Sequence, residues 1–330
     1  MHRLLAVSDL YLDAAEIGND AQARLPALPA LSELLRLGKA SPPRRDWRAG
    51  LAADLGAPTL AESAPALVAA AAAAGIAPGS PVCLADPVHL VAGMASVHLH
   101  PSGLLRLDAE SRSELQSQFT REFGARDQAL VAVGDGLLLS APQAAAAHGN
   151  DPARMLGSQV EASRLLDTQQ QSLRRLGVEV EMWLPGLALN RERERRGELA
   201  ITALWLWGGG EGSLPDAAVG KPSWEQAYGN DPWVHGIWSR LVNGKVLAAR
   251  GWDHAQSSAL MVVSAARASL PQLECDWFAP ALRDLRAGRV SSLALRIGGQ
   301  RWDLGSRSRA RWWQPLAWRK PRPWYQVLAT

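Results

Sequence analysis

His98 and His100 are the first residues of this chain whose types and spacing could do chemistry. Two positions apart on a strand, they point to one face, as metal ligation requires. Asp86 and His89 sit on a segment that reads as a neighbouring strand and could complete the set. Histidine pairs on one face are more often surface or hydrogen-bonded groups, and no metal centre is assigned here.

A second constellation is NRERERRG at 190–197, where four arginines alternate with glutamates. Paired guanidinium groups can clamp an anion. Equally, such a segment can pair with itself in solvent at little energetic gain. It precedes the stretch 198–215, ELAITALWLWGGGEGSLP, in which an aromatic, β-branched run stops at Gly208, Gly209 and Gly210. Glycines after a strand suit a loop delivered to a sheet edge, where α/β proteins bind ligands. The loop matches neither nucleotide signature. No Gly-Lys-Ser/Thr follows it, and Pro215 stands where a dinucleotide fingerprint needs its third glycine. The competing reading is a tight turn that lets Trp205 and Trp207 pack.

The third feature is the C-terminal segment 305–330. Between residues 301 and 322 seven basic residues face one acid, a local charge of +6. The whole chain carries +3, so the remainder is −3. Trp312, Trp313, Trp318 and Trp324 interleave the basic residues, a pattern that suits nucleic-acid stacking or an anionic membrane surface. It also suits tryptophans docked on the protein with arginines facing water, and that reading is preferred because adjacent tryptophans seek burial. No Gly-x-Ser-x-Gly elbow, His-Glu-x-x-His helix or Cys–His neighbour occurs.

These residues must be positioned by an alternation of strands and helices. Apolar runs at 4–7, 82–85, 95–99, 129–133, 137–139, 200–207, 260–264, 293–297 and 301–304 read as strands. Helical spacing marks 28–37, 47–55, 60–74, 159–184 and 277–286, and a helix capped by Asp108 runs to about 123. Residues 208–234 read as a long loop. This order predicts an α/β fold with a mixed, mostly parallel sheet flanked by helices. It is expected to form a single domain over 1–304, with a weak boundary near 150.

Of the 330 residues, 47% are hydrophobic and 20% charged, which bounds a globular chain with a sizeable core. Basic residues are almost all arginine, and 14 Trp stand against 3 Tyr and 3 Phe. Cys83 and Cys275 are isolated, as expected of reduced thiols in a cytoplasmic protein. No signal-peptide layout is seen, and the alanine run at 69–74 is too short to span a bilayer.

Three segments resemble one known family: ADPVHL at 85–90; Met182, Asn190, Arg193-Glu194 and Arg196-Gly197; and LWLWGGG at 204–210. It is a family of proteobacterial proteins described as cofactor-independent phosphoglycerate mutase-like, or as regulation-of-pathogenicity-factors E proteins. Thr202-Ala203 replace the family's Asn-Ser, and 184–189 lack its histidines. The resemblance implies a fold distantly related to alkaline phosphatase. It also implies two divalent metals, such as manganese or magnesium, a serine nucleophile and an Asp-His-Gly segment after a late strand. Here that strand continues Ala265-Ala266-Arg267, with no ligand.

The expectation is therefore a non-catalytic regulatory protein without a cofactor. Its small anionic ligand or protein partner would sit around Asp86, His89, Asn190, Arg193, Arg196, Trp205, Trp207, Gly208, Gly209 and Gly210. Two alternatives remain. One is a metal-dependent phosphotransferase using Asp9, Asp86, His89 and Asp253. The other is nucleic-acid binding through the basic segment.

Overall fold

The computed structural model describes residues 1–8, 10, 25–61, 63–94, 96–160, 168–210, 222–255, 257–265, 269–305 and 323–328. Asp9, residues 211–221 of the glycine-rich loop, and residues 306–322 with Trp312, Trp313 and Trp318 lie outside them.

Along the chain the strands are β1 (His2–Ser8), β2 (Lys39–Ala40), β3 (Val82–Ala92), β4 (Val97–Leu104), β5 (Ala129–Val133) and β6 (Gly136–Ser140). They continue with β7 (Gln159–Val160), β8 (Ala203–Trp207), β9 (Gln226–Tyr228), β10 (Ala259–Ser264), β11 (Ser292–Ile297) and β12 (Gln300–Gly305). The helices are α1 (Pro29–Leu37), α2 (Trp47–Asp54), α3 (Ser63–Ala73), α4 (Ala109–Phe123) and α5 (Thr168–Trp183). After them come α6 (Ala188–Arg195), α7 (Pro232–Val242), α8 (Leu270–Leu273), α9 (Ala279–Ala287) and α10 (Trp324–Leu328). A π-helical turn, Glu274–Phe278, joins α8 to α9.

In place of one domain over 1–304, the chain divides into two compact units that interleave in sequence. Unit 1 comprises Met1–Ala61, Val219–Gly229 and Lys245–Thr330; unit 2 comprises Glu62–Ala218 and Asn230–Gly244. No division falls near residue 150.

Unit 1 holds a six-stranded sheet in the order β2-β12-β11-β1-β10-β9. The β1–β10, β1–β11 and β9–β10 pairs are parallel, and β11–β12 and β12–β2 are antiparallel. β1 is buried from Arg3 to Ser8, as in strands covered on both faces. Leu5, Val7, Leu293, Leu295 and Ile297 pack with α1, α9 and Trp324 of α10. Arg296 has the opposite parity and pairs with Asp54 of α2 at 2.8 Å, both side chains buried. A Cβ on Gly50 would fall 1.9 Å from the Arg296 guanidinium, so α2 needs a glycine there.

Unit 2 is built on β3, which pairs antiparallel with β4, β6 and β8. The parallel pairs expected of the fold are thus confined to unit 1. Unit 2 joins neighbouring strands by tight turns, as at Gly134-Asp135, and such turns permit only antiparallel pairing. One face carries α4 and α5 through Leu115, Phe119, Leu176, Val180 and Leu204. Elsewhere in the unit α3 packs tightly on α7. A Cβ on Gly236 would sit 1.8 Å from the Ala66 carbonyl oxygen, so the two helices touch backbone to backbone. The class is α/β, with mixed sheets flanked by helices.

Two local expectations change. The presumed loop 208–234 contains β9 and the start of α7, whose first turn is set by Pro232 and by Asp231 accepting from the Trp233 amide at 2.8 Å. Pro101-Ser102-Gly103, residue types that predict a turn, are instead part of β4, accommodated by a register shift between Val88 and Leu90. No helix among the described residues is long and apolar enough to cross a membrane.

Candidate functional site

The expected site residues all belong to unit 2, and β8 organises them. Its antiparallel register sets Asp86 opposite Trp205, Leu84 opposite Trp207 and Val88 opposite Ala203. Directly opposed and alternate residues share a face, so Asp86, Trp205 and Trp207 lie on one side of the β3–β8 pair. There the Trp207 indole N–H donates to Asp86 Oδ2 at 2.6 Å, and Trp205 Nε1–H donates to the Asn150 carbonyl at 2.8 Å. Trp207 is buried; its ring is part of the fold.

A second group gathers at the entry to β8. His89 Nδ1 lies 2.8 Å from the Ala200 carbonyl oxygen, so Nδ1 carries the proton. Asn190 is 3% exposed and spends its amide on Leu184 and Ile201. Arg193 is also buried; its Nε–H donates to the Leu199 carbonyl at 2.8 Å, and it pairs with Glu198 at 3.0 Å. Asn190 and Arg193 therefore hold the chain that enters β8. Their polar groups satisfy buried backbone.

The glycines lie at the other end of the strand. At the rise of an antiparallel strand the five residues of β8 separate the two groups by about 17 Å. The single patch expected from sequence is thus drawn out along the strand. Gly208 adopts φ +70°, a left-handed backbone. Gly209 donates its N–H to the Ala147 carbonyl at 2.9 Å, and a Cβ there would meet the Ala144 oxygen at 2.0 Å. Close packing against the segment 142–147 accounts for that glycine.

Among the described residues no set fits the two-metal centre implied by the family resemblance. His98 Nε2 is 2.8 Å from Ser96 Oγ, and His100 Nδ1 accepts from the Ser102 amide at 3.0 Å. Asp253 belongs to unit 1 and is exposed beside Arg283. Among the described residues no three His, Cys, Asp or Glu side chains gather as a metal site. Burial pushes the Cys83 thiol well up, with the Asp86 charge adding to it, so Cys83 is no thiolate nucleophile.

Two expected residues line an opening, the buried Arg193 and the exposed Arg196. It is a cleft of about 630 Å³ between the start of α4 and α6. The α6 wall carries Glu192, Arg193, Arg195, Arg196 and Glu198; the α4 wall carries Asp108, Glu110 and Glu114 beside Arg106. Glu192 holds Arg196 Nε at 2.8 Å and also pairs with Arg195. The two guanidinium groups are 74% and 55% exposed for Arg195 and Arg196 and share that carboxylate. The Ser111 amide, 2.7 Å from its Oδ1, holds the Asp108 carboxyl below its usual range, with Arg196 and Arg112 assisting. Sequence reading missed the α4 wall. Nothing local to Glu110 and Glu114 shows what that helix face opposes.

No protein-family model and no curated protein matches the chain. Two solved structures are similar along most of its length. One is the cofactor-independent phosphoglycerate mutase from Thermoplasma acidophilum DSM 1728, at 17% identity and a TM-score of 0.39, covering 92% of this chain and 89% of that one. The other is the PH0037 protein from Pyrococcus horikoshii, at 12% identity and a TM-score of 0.43, covering 92% and 87%. At these values neither bears on activity or ligand.

Proposed function

We propose that this chain is a non-catalytic, regulatory binding protein of the cytoplasm that takes a small anionic ligand in the α4–α6 cleft of unit 2. The observation that carries the reading is the sharing of Glu192 between Arg195 and Arg196, both exposed to the cleft. One carboxylate cannot neutralise two guanidinium groups, so the α6 wall keeps a positive charge free for a ligand oxygen. Of the ten residues singled out in the sequence, Arg196 carries this role. Asn190 and Arg193 shape the wall from behind.

Titration with inorganic phosphate at low ionic strength tests the proposal. Arg196→Ala is expected to weaken binding about tenfold, ~1.4 kcal/mol. Glu192→Gln is expected to strengthen it several-fold, because it frees both arginines. Unchanged affinity in both variants removes the cleft as the site. Turnover in a phosphoglycerate mutase assay with added manganese overturns the non-catalytic part and restores the phosphotransferase reading.

A further inference from the structure

We infer that the ligand of this cleft is bipolar, a small molecule with a phosphate or carboxylate at one end and an ammonium or guanidinium group a few bonds away. This rests on the reading of the cleft as a binding site and narrows its ligand class.

Charge in the cleft is sorted by wall. The α6 wall has three arginines against Glu192 and Glu198, a surplus of one positive charge. Asp108, Glu110 and Glu114 outnumber Arg106 on the α4 wall, a surplus of two negative charges. Asp108 is already engaged in capping α4 through the Ser111 amide. Glu110 and Glu114, one helical turn apart, have no hydrogen-bond or ion-pair partner among the described residues. They are the open acceptors of that wall.

The start of α4 is therefore no seat for an anion, since Asp108 and Glu110 already complement its dipole. A free anion is attracted by one wall and repelled by the other, and a free cation meets the reverse. A ligand bearing both charges satisfies both walls at once. The opening of about 630 Å³ is of ordinary size for a small-molecule site.

The test uses the full chain, with O-phosphoethanolamine, inorganic phosphate and ethanolamine titrated separately at fixed ionic strength. O-phosphoethanolamine is expected to bind at least tenfold more tightly than either fragment. The double substitution Glu110→Gln/Glu114→Gln is expected to remove that advantage while keeping or raising phosphate affinity. Both positions are on the cleft surface, and the single Glu114→Gln variant should show an intermediate loss. Equal affinity for phosphate and O-phosphoethanolamine overturns the bipolar inference and leaves the anion reading intact. If neither phosphate-bearing probe binds, both readings fall.

Discussion

Asn190 and Ile201 exchange two hydrogen bonds of 2.8 Å: the side-chain Oδ1 accepts from the Ile201 amide, and Nδ2–H donates to the Ile201 carbonyl. The second Nδ2 hydrogen goes to the Leu184 carbonyl at 2.9 Å. A side-chain amide here imitates a strand neighbour and ties α6 to the turn before it and to the entry of β8. Removing it takes the partner from the Ile201 amide and carbonyl and leaves the Leu184 carbonyl with the Leu187 amide alone. Asn190→Ala is therefore expected to destabilise unit 2 by about 2–4 kcal/mol. Asn190→Asp should be no better, since a carboxylate would face two carbonyls. Urea unfolding checks this. A loss of phosphate affinity at unchanged stability would instead make Asn190 a ligand contact.

The glycine run separates two physical demands. Gly209→Ala places a Cβ against the Ala144 carbonyl, and Gly208→Ala strains a left-handed backbone. The first is expected to cost about 3 kcal/mol, and the second about 1–2 kcal/mol. Thermal unfolding of the two variants gives the order. The reverse order would mean that the contact with the segment 142–147 is not what constrains the loop.

Trp324 changes how the C-terminal segment must be probed. It is 1% exposed in the core of unit 1, and its indole N–H donates to the Pro26 carbonyl at 3.1 Å. Trp324→Ala is expected to cost about 3–5 kcal/mol. Truncation after Leu304 should likewise destabilise unit 1, so a loss of nucleic-acid binding in that truncation would report unfolding. Replacing only residues 306–322 keeps the Trp324 anchor. If their tryptophans dock on the protein as the sequence suggests, the unfolding temperature is expected to fall while unit 1 still folds. A nucleic-acid role is then read from binding at a temperature where the variant is folded. An unchanged unfolding temperature would show that the replaced tryptophans do not dock.

Asp284 gives unit 1 an acid limb. Burial raises its carboxyl, but the Trp252 indole N–H, Arg289 and Arg3 outweigh burial and hold it below the usual carboxylate range. The Trp252 and Arg289 contacts are 2.9 and 2.6 Å. With the native value depressed, the stabilisation is complete above the unfolded value, about 3.9, and is lost as pH falls through the native one. Urea midpoints measured from pH 6 to pH 2 should fall more steeply for the parent than for Asp284→Asn. Parallel curves would mean that the carboxylate gains nothing from these partners.

What was legible in the sequence is what neighbours within a turn or two encode. Asp108 caps α4, as read, and by the same local logic Gly38 and Gly288 end their helices and the Asp-Gly at 135–136 turns a hairpin. Capping of α1 was not legible. Its N-cap position, Leu28, offers no side-chain acceptor, and the amides of Ala30 and Leu31 bond to Glu274 at 2.5 and 3.2 Å, 244 and 243 residues away. Glu274 reaches them from the π-helical turn before α9, and no local signal announces that reach.

The candidate site divides along the same line. The sequence by itself determined that arginines and glutamates alternate before an aromatic strand ending in glycines. It also determined the α/β alternation. Only the tertiary structure decided which polar residues satisfy buried backbone and which face a cleft. Asn190 and Arg193 turn inward and Arg196 outward, although they lie within seven positions on one short helix and its exit. The physical reason is that the hydrogen-bond demand comes from carbonyls six to eleven residues away, beyond the reach of a helix's own turn, and that the facing helix is far along the chain. The carbonyls of Leu199 and Ile201 and the wall of α4 exist as neighbours of α6 only after the chain has folded.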